Sequence, residues 1–148
     1  MKKLLLILLC LPMIGLGQQT YVPDDAFEEY IELNFPLADN GIPNDDYVLT
    51  AGVVFSGFTG FLHLGNTPST SSIQDLTGIE DFSNVFSLII SNLNITTIDL
   101  SQITLLSAGH ISINSCPLVT DIILPSDSFS LNLGTNTYLT NIVVQQVL

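Results

Sequence analysis

Residues 111–124 read ISINSCPLVTDIIL, and this stretch decides the fold because two parts of its pattern recur along the chain. The first part fits the form L-x-L-x-x-(N/C/T/L)-x, followed by an apolar or small residue. Windows of this form begin at Leu62, Leu88, Ile111 and Leu131, at spacings of 26, 23 and 20 residues. Periods of about 20 to 50 residues are typical of chains that fold into stacked repeats. The pattern therefore predicts a solenoid.

The second part of the stretch, TDIIL at 120–124, recurs as TTIDL at 96–100 and as TNIVV at 140–144. These segments are 24 and 20 residues apart, which is compatible with the spacing of the first pattern. Two independent sequence patterns with compatible periods indicate that both belong to a single repeating unit. We expect about four coils, which exceeds the minimum of about three that such arrays need.

Each window is expected to bury its two L positions against the same positions of neighbouring coils. The residue at the N/C/T/L position turns the chain inward and can bond to backbone groups of the turn. Asn136 can make such bonds. Cys116 and Thr67 would make them weakly, and Leu93 can only pack.

Residues 73–90, IQDLTGIEDFSNVFSLII, resemble the internalin-type leucine-rich repeat, with apolar residues at every third position leading into a strand. Residues 21–28 and 45–50 resemble the start of secreted leucine-rich-repeat proteins of Gram-negative bacteria. The resemblance implies a leucine-rich-repeat solenoid, α/β by convention but mostly β, with a curved parallel sheet and an N-terminal capping helix. It also implies a surface adhesin or recognition module. Leu93 and Thr67 depart from the pattern, since Asn is usual there.

Residues 24–35 are predicted to form the capping helix. Asp25 is expected to cap it together with Glu28, three positions on, and Pro36 ends it. One face is apolar at i, i+3, i+4 spacing, and the opposite face is acidic. The apolar face comprises Phe27, Tyr30 and Ile31, and the face expected to meet water comprises Glu28, Glu29 and Glu32.

The predicted organisation is a signal peptide (1–17), an N-terminal cap (18–60) and the repeat solenoid (61–148). Residues 141–148 follow a repeat strand without a recognisable polar cap, which solenoids need. Either Ile142, Val144 and Val147 improvise a cap, or the chain is a fragment or an unusually short member. The second interpretation is favoured.

The N-terminus has the features of a cleaved export signal. Two lysines precede the apolar run 4–11, Pro12 ends that run, and small residues at 15 and 17 predict cleavage before Gln18. Lipidation at Cys10 is disfavoured because Leu9 stands where a small residue is required. We expect a secreted or cell-surface protein with no membrane insertion after cleavage, because the apolar run is too short to span a bilayer and no later stretch comes closer.

Cleavage would leave 14 carboxylates and no Lys or Arg. This balance argues against nucleic acid as a partner, because binding nucleic acid requires cations that neutralise phosphates. It also disfavours anionic membrane surfaces. Cys116 would be the one remaining cysteine, predicted to be a buried and unreactive thiol.

Calcium is the one possible cofactor, because carboxylates without basic partners can bind it. The candidate ligands lie in the acidic turn 39–46 and are Asp39, Asn44, Asp45 and Asp46. The turn lacks the alternating spacing of a calcium loop, so a solvated turn is favoured.

Ligand binding is expected on the concave face of the sheet, through strand residues that point outward. The candidates are Phe61, His63, Ile89, His110, Ser112 and Asn132. They would form a small apolar patch ringed by hydroxyls and amides, suited to a glycan or a neutral protein segment. The alternative is a solvated sheet face without a ligand.

No catalytic motif occurs, and we expect no enzyme. Asp99 and Asp121 lie in adjacent coils but at different repeat positions, which disfavours a glycosidase pair. Two functions remain open. The first is an adhesin-like recognition module for an extracellular protein or glycan, and the second is a structural spacer of a larger surface protein with no ligand of its own.

Overall fold

The computed structural model describes residues 17–55, 60–68, 70–126 and 129–145. The predicted signal peptide, apart from Gly17, lies outside these residues. Within them, no helix is long and apolar enough to cross a membrane. The described elements are β1 (Gln19–Tyr21), α1 (Asp25–Asn34), β2 (Tyr47–Leu49), β3 (Phe61–Leu64), β4 (Val85–Ser91), β5 (Thr97–Asp99), β6 (Leu105–Asn114), β7 (Asp121–Leu124), β8 (Phe129–Leu133) and β9 (Asn141–Val144), with short 3-10 turns at Thr50–Gly52, Thr70–Ser72 and Ile79–Asp81.

Two parallel sheets form the body of the molecule. One has four strands in the order β3-β4-β6-β8, and the other has three in the order β5-β7-β9. Successive turns of the chain add a strand to one sheet and then to the other, so the structure is a β-solenoid of about four coils. Strands β1 and β2 form a separate antiparallel pair at the N-terminal end.

The strand register is the one that the repeat pattern predicted. Leu62 lies opposite Leu88, Leu88 opposite Ile111, and Ile111 opposite Leu131. In the second sheet Ile122 lies between its equivalents Ile98 and Ile142. The paired strands stay in register although the repeats differ in length. The extra residues of the longer repeats therefore lie outside the paired segments. One such place is the irregularity in β6 between Leu105 and His110.

The core consists of stacked apolar side chains between the two sheets. Leu88, Ile90, Ile111 and Ile113 are fully buried in the four-stranded sheet, as is Ile122 in the three-stranded sheet. Burying one such side chain contributes about 1.5–3 kcal/mol. The stack therefore supplies the main stabilising energy of the fold.

The N/C/T/L positions behave as their chemistry predicts. Asn136 Oδ1 accepts a hydrogen bond from Cys116 N at 3.0 Å, and Asn136 Nδ2 donates to Ile113 O at 2.9 Å. This one amide thus joins two adjacent coils. Leu93 is fully buried and can only pack. Cys116 is also buried, and burial raises the pKa of its thiol, which disfavours the reactive thiolate.

Helix α1 forms nearly where it was predicted, but its cap differs. Asp24, not Asp25, is the N-cap, and its Oδ1 accepts a hydrogen bond from Phe27 N at 3.0 Å. Its Oδ2 accepts from Gln74 N at 2.8 Å and Asp75 N at 3.1 Å. The prediction was wrong because the capping carboxylate also ties the helix to a distant loop, a contact that local sequence does not reveal.

Glu28 was predicted to face water, and this too was wrong. Its side chain is buried, and its two oxygens accept hydrogen bonds from Asp45 N at 3.2 Å and Asp46 N at 3.1 Å. Glu28 therefore fastens the acidic turn to the helix. The apolar face is as expected, since Phe27 and Ile31 are fully buried.

The last described coil is more exposed than the coil before it. Ile142 and Val144 are about half exposed, although their equivalents Ile122 and Leu124 are buried. Val147, the third residue of the proposed improvised cap, lies outside the described residues.

The double role of Asp24 gives a direct test. Asp24→Ala should lower the free energy of unfolding by about 1–2 kcal/mol or more, since it removes the helix cap and both bonds to the 74–75 backbone. Asp25→Ala is the matched control, because Asp25 is exposed and should change stability by less than about 0.5 kcal/mol. Urea denaturation of both variants measures the difference. Equal losses would contradict the assignment of Asp24 as the cap.

Candidate functional site

A groove lies where helix α1 meets the first strand of the four-stranded sheet. Tyr30 on the helix sets this contact, because its hydroxyl accepts a hydrogen bond from His63 N at 3.0 Å. Strand β3 is the edge of its sheet, so this bond satisfies an amide that no neighbouring described strand reaches. Burial raises the pKa of the Tyr30 phenol, so the group is neutral at physiological pH.

The groove has a volume of about 560 Å³, within the range of small-ligand sites. The helix lines one side of the groove, and β3 with residues that follow it lines the other. The lining residues are Glu29, Tyr30, Leu33, Asn34, Phe61, His63, Asn66, Thr67 and Thr70.

Exposed apolar groups and neutral polar groups share this groove. The Phe61 side chain is 48 % exposed and packs edge-on against Phe86, with ring centroids 5.4 Å apart. Leu33 is exposed on the opposite wall. The remaining lining groups are mostly amides and hydroxyls, with Glu29 as the one carboxylate in the lining. Such a surface can pack against an apolar face while it hydrogen-bonds to neutral polar groups.

The six predicted ligand-binding residues occupy two rows across the four-stranded sheet. One row contains His63, Ile89, Ser112 and Asn132, which are neighbours in successive strands. The adjacent row contains Phe61 and His110.

Ser87 lies between Phe61 and His110 in that second row. The structure therefore places all six candidates on one sheet face, but only Phe61 and His63 reach the groove. The other four candidates lie on β4, β6 and β8, outside the groove.

The middle of this sheet face is less exposed than the sequence suggested. Ser112 was expected to be exposed, but it is buried, and its hydroxyl accepts a hydrogen bond from Asn114 Nδ2 at 2.6 Å. Ser87 is buried as well. His110 Nδ1 shares a 2.8 Å hydrogen bond with Ser130 Oγ. The expected single apolar patch is therefore concentrated at the β3 edge.

Sequence reasoning missed three residues of this region, namely Tyr30, Leu33 and Phe86. Tyr30 was assigned to the buried helix face, and nothing local shows that its hydroxyl reaches β3. Phe86 precedes the repeat window and contacts Phe61 only because β3 and β4 are paired in parallel. The one available signal was the concentration of aromatic residues in the cap and the first two coils.

The carboxylates of the predicted calcium turn bond mainly to the turn itself. Asp39 Oδ1 accepts a hydrogen bond from Gly41 N at 2.6 Å, and Asp45 Oδ1 accepts from Tyr47 N at 3.1 Å. Asn44 and Asp46 both adopt positive φ angles. These are features of a tight turn whose backbone N–H groups are bonded partly by its own side chains and partly by Glu28.

A different acidic group is brought together at the base of the helix. Carboxylate oxygens of Asp25, Glu28 and Asp46 lie within 4.8 Å of one another, a spacing that a cation could bridge. Of the four predicted calcium ligands, only Asp46 belongs to this group. Both oxygens of Glu28 already accept backbone hydrogen bonds. The group therefore shares Asp46 with the turn, and Glu28 links it to the turn backbone.

Two glutamates of the helix carry unfavourable charge. Burial raises the pKa of the Glu28 carboxyl, and the nearby Glu32 and Asp45 add to this effect. Burial also raises the pKa of Glu32, with contributions from Asp39 and Asp45. Among the described residues, Glu32 Oε1 is a buried atom without a hydrogen-bond partner. The ionised form of Glu32 is therefore disfavoured in the folded state.

The raised pKa values of Glu28 and Glu32 predict that protonation of these two groups stabilises the folded state. Between the ordinary glutamate pKa of 4.5 and the raised value, the folded state binds more protons than the unfolded state, so stability falls as pH rises through this window. Glu32→Gln should raise the melting temperature at pH 7 and reduce its dependence on pH. Glu29→Gln, an exposed change on the same helix, is the matched control. Identical pH profiles for the two variants would contradict the role of Glu32.

A second groove, of about 400 Å³, lies beside the three-stranded sheet. Its lining residues are Asp75, Leu76, Thr77, Glu80, Thr97, Asp99, Ser101 and Gln102. Its carboxylates accept hydrogen bonds from their own loops, as Asp99 does from Ser101 N at 2.9 Å. Asp121 lies opposite Thr97 and not opposite Asp99. The two aspartates considered as a glycosidase pair thus occupy different strand positions.

Comparison of the chain with protein-family models, with curated proteins and with solved structures finds no match.

Proposed function

We propose that this protein is an exported leucine-rich-repeat recognition module that binds a neutral glycan through the groove between α1 and β3 and the adjoining sheet face. The observation that carries the proposal is the groove itself. It combines the exposed Phe61 ring with amides and hydroxyls from both walls. An adhesin-like role at the cell surface or in the secreted state accords with the signal-like residues 1–17.

The chemistry of the lining favours a neutral sugar over a charged ligand. An aromatic ring packs against the C–H face of a pyranose, and amides and hydroxyls hydrogen-bond to sugar hydroxyls. Glu29 can accept such a bond. The chain has no Lys or Arg beyond residues 2 and 3, so it offers no clamp for sulfate, phosphate or carboxylate groups. A neutral protein segment is the other ligand class that this surface could accept.

The leucine-rich-repeat assignment is supported by the repeat positions. The apolar L positions of neighbouring windows are paired and buried in the inner coils. The Asn136 amide also joins one coil to the next, as the Asn of such repeats is expected to do. Binding through one sheet face is the usual use of solenoid proteins, and this argument from fold is an analogy.

Binding can be tested with neutral oligosaccharides as probes. Purified protein should be titrated calorimetrically with hexamers of β-1,4-linked glucose and β-1,4-linked mannose, with oligogalacturonate as an anionic comparison. We expect saturable binding of a neutral hexamer and none of the anionic one. Phe61→Ala should weaken that binding about tenfold, because it removes the aromatic platform.

Tyr21→Ala is the matched control, since Tyr21 is also aromatic and 49 % exposed but does not line the groove. Ile89→Ser tests whether the ligand extends onto the sheet face. Unchanged affinity in both Phe61→Ala and His63→Ser would place the site elsewhere. No binding of neutral glycans or extracellular matrix proteins by well-folded protein would favour the structural spacer instead.

A further inference from the structure

Two asparagines, one on each side of the groove between α1 and β3, have side-chain amides whose orientation is fixed by the protein. Asn34 is the last residue of the helix, and Asn66 follows β3. Both line the groove. An asparagine amide offers an oxygen that accepts hydrogen bonds and an NH2 group that donates them. The bonds made within the protein decide which of the two groups is left for a ligand.

The Asn34 amide uses its donor within the helix. Asn34 Nδ2 donates a hydrogen bond to Tyr30 O at 2.8 Å. The reverse orientation would place Asn34 Oδ1 against that carbonyl oxygen, and two acceptors form no hydrogen bond. Asn34 Oδ1 therefore remains an acceptor, and no residue that the structure describes donates to it. On the helix side, the groove offers a ligand an acceptor.

The Asn66 amide is oriented the opposite way. Asn66 Oδ1 accepts a hydrogen bond from Ser91 Oγ at 2.6 Å. This distance is typical of an O–H···O bond and short for an N–H···O bond, so the oxygen of Asn66 faces Ser91. Gly65 permits the close approach, because its φ is +86° and a Cβ there would collide with Ser91 O. Asn66 Nδ2 is left without an acceptor among the described residues, so this side of the groove offers a donor.

A secondary amide in the ligand would complement both side chains. Such an amide is planar and trans, so its N–H and its C=O point to opposite edges. It can donate to Asn34 Oδ1 and accept from Asn66 Nδ2 with a single rigid group. In a neutral glycan, the group with this chemistry is the acetamido substituent. Leu33, which is 71 % exposed beside Asn34, and the exposed Phe61 ring offer apolar surface to its methyl group.

We propose that the glycan bound in this groove contains N-acetylated sugar residues, with one acetamido group held between Asn34 and Asn66. The inference rests on the proposed glycan-binding function and names the sugar class within it. An acetamido group is uncharged, which suits a lining whose one carboxylate is Glu29 and which contains no Lys or Arg. An N-acetylated sugar also keeps the C–H face that packs against an aromatic ring.

Calorimetric titration with two matched hexamers tests this proposal. The β-1,4-linked hexamers of glucose and of N-acetylglucosamine share one linkage and differ only in the substituent at C2. We expect the N-acetylated hexamer to bind about tenfold more tightly or better, because its acetamido group gains a hydrogen bond on each edge. Equal affinities, or a preference for the glucose hexamer, would overturn the inference and leave the proposed glycan site in place. If none of the neutral hexamers binds, the proposed function fails and the inference fails with it.

Asn66→Asp tests the role of the donor. The aspartate can still accept the hydrogen bond of Ser91 Oγ, but it has an oxygen where the NH2 group of Asn66 was. We expect the preference for the N-acetylated hexamer to fall about tenfold, since two acceptors then face each other. Asn94→Asp is the matched control, because it makes the same charge change at an exposed residue outside the groove lining. Its preference should equal that of the wild type.

The side-chain NH2 signals of Asn66 in nitrogen-15 correlation spectra give a second readout. The N-acetylated hexamer should shift these signals more than the glucose hexamer does, because its acetamido oxygen accepts a bond from Nδ2. The side-chain NH2 signals of Asn94 should stay unchanged with either hexamer. An unchanged preference in Asn66→Asp, or equal shifts of the Asn66 signals with both hexamers, would overturn the assignment of the acetamido group to this place.

Discussion

Stacking of Leu and Ile side chains between coils holds the two sheets at a fixed separation, and the other features of the molecule depend on it. Leu88 and Ile111 are paired in register and fully buried, and the same holds for Ile90 and Ile113. A single coil could not bury these side chains, so each coil is stable only against its neighbours. The first coil therefore needs a covering element, and the proposed binding groove lies beside the helix that covers it.

The N-terminal end shows how a chain almost without cations organises its carboxylates. Asp24 and Glu28 bond to backbone N–H groups of distant segments, and Asp39 and Asp99 bond to N–H groups of their own turns. A backbone amide is a neutral partner, so these bonds hold the cap in place without cancelling charge. The residual repulsion is concentrated on the helix, where Glu28 and Glu32 have raised pKa values.

The groove results from the way helix α1 closes the N-terminal end of the solenoid. Helix α1 must cover the first coil, and Tyr30 satisfies an edge amide of β3, but the helix does not cover the outer face of that strand. Phe61 is left half exposed beside a wall of polar side chains. Closing one end of a solenoid with a helix of a different shape thus creates a concave surface. A further identical coil in that position would have continued the flat sheet.

The sequence by itself determined the repeat, its register and the buried positions, because each coil repeats the same apolar pattern and stacking requires equivalent residues to align. It also determined the helix and its apolar face, since 3.6-residue periodicity is local. The cap at Asp24, the burial of Glu28 and Ser112, and the groove residues Tyr30 and Phe86 were decided only by the tertiary structure. Each of these depends on a contact between segments far apart in the chain, and no periodicity encodes which hydroxyl or carboxylate will reach which distant backbone amide.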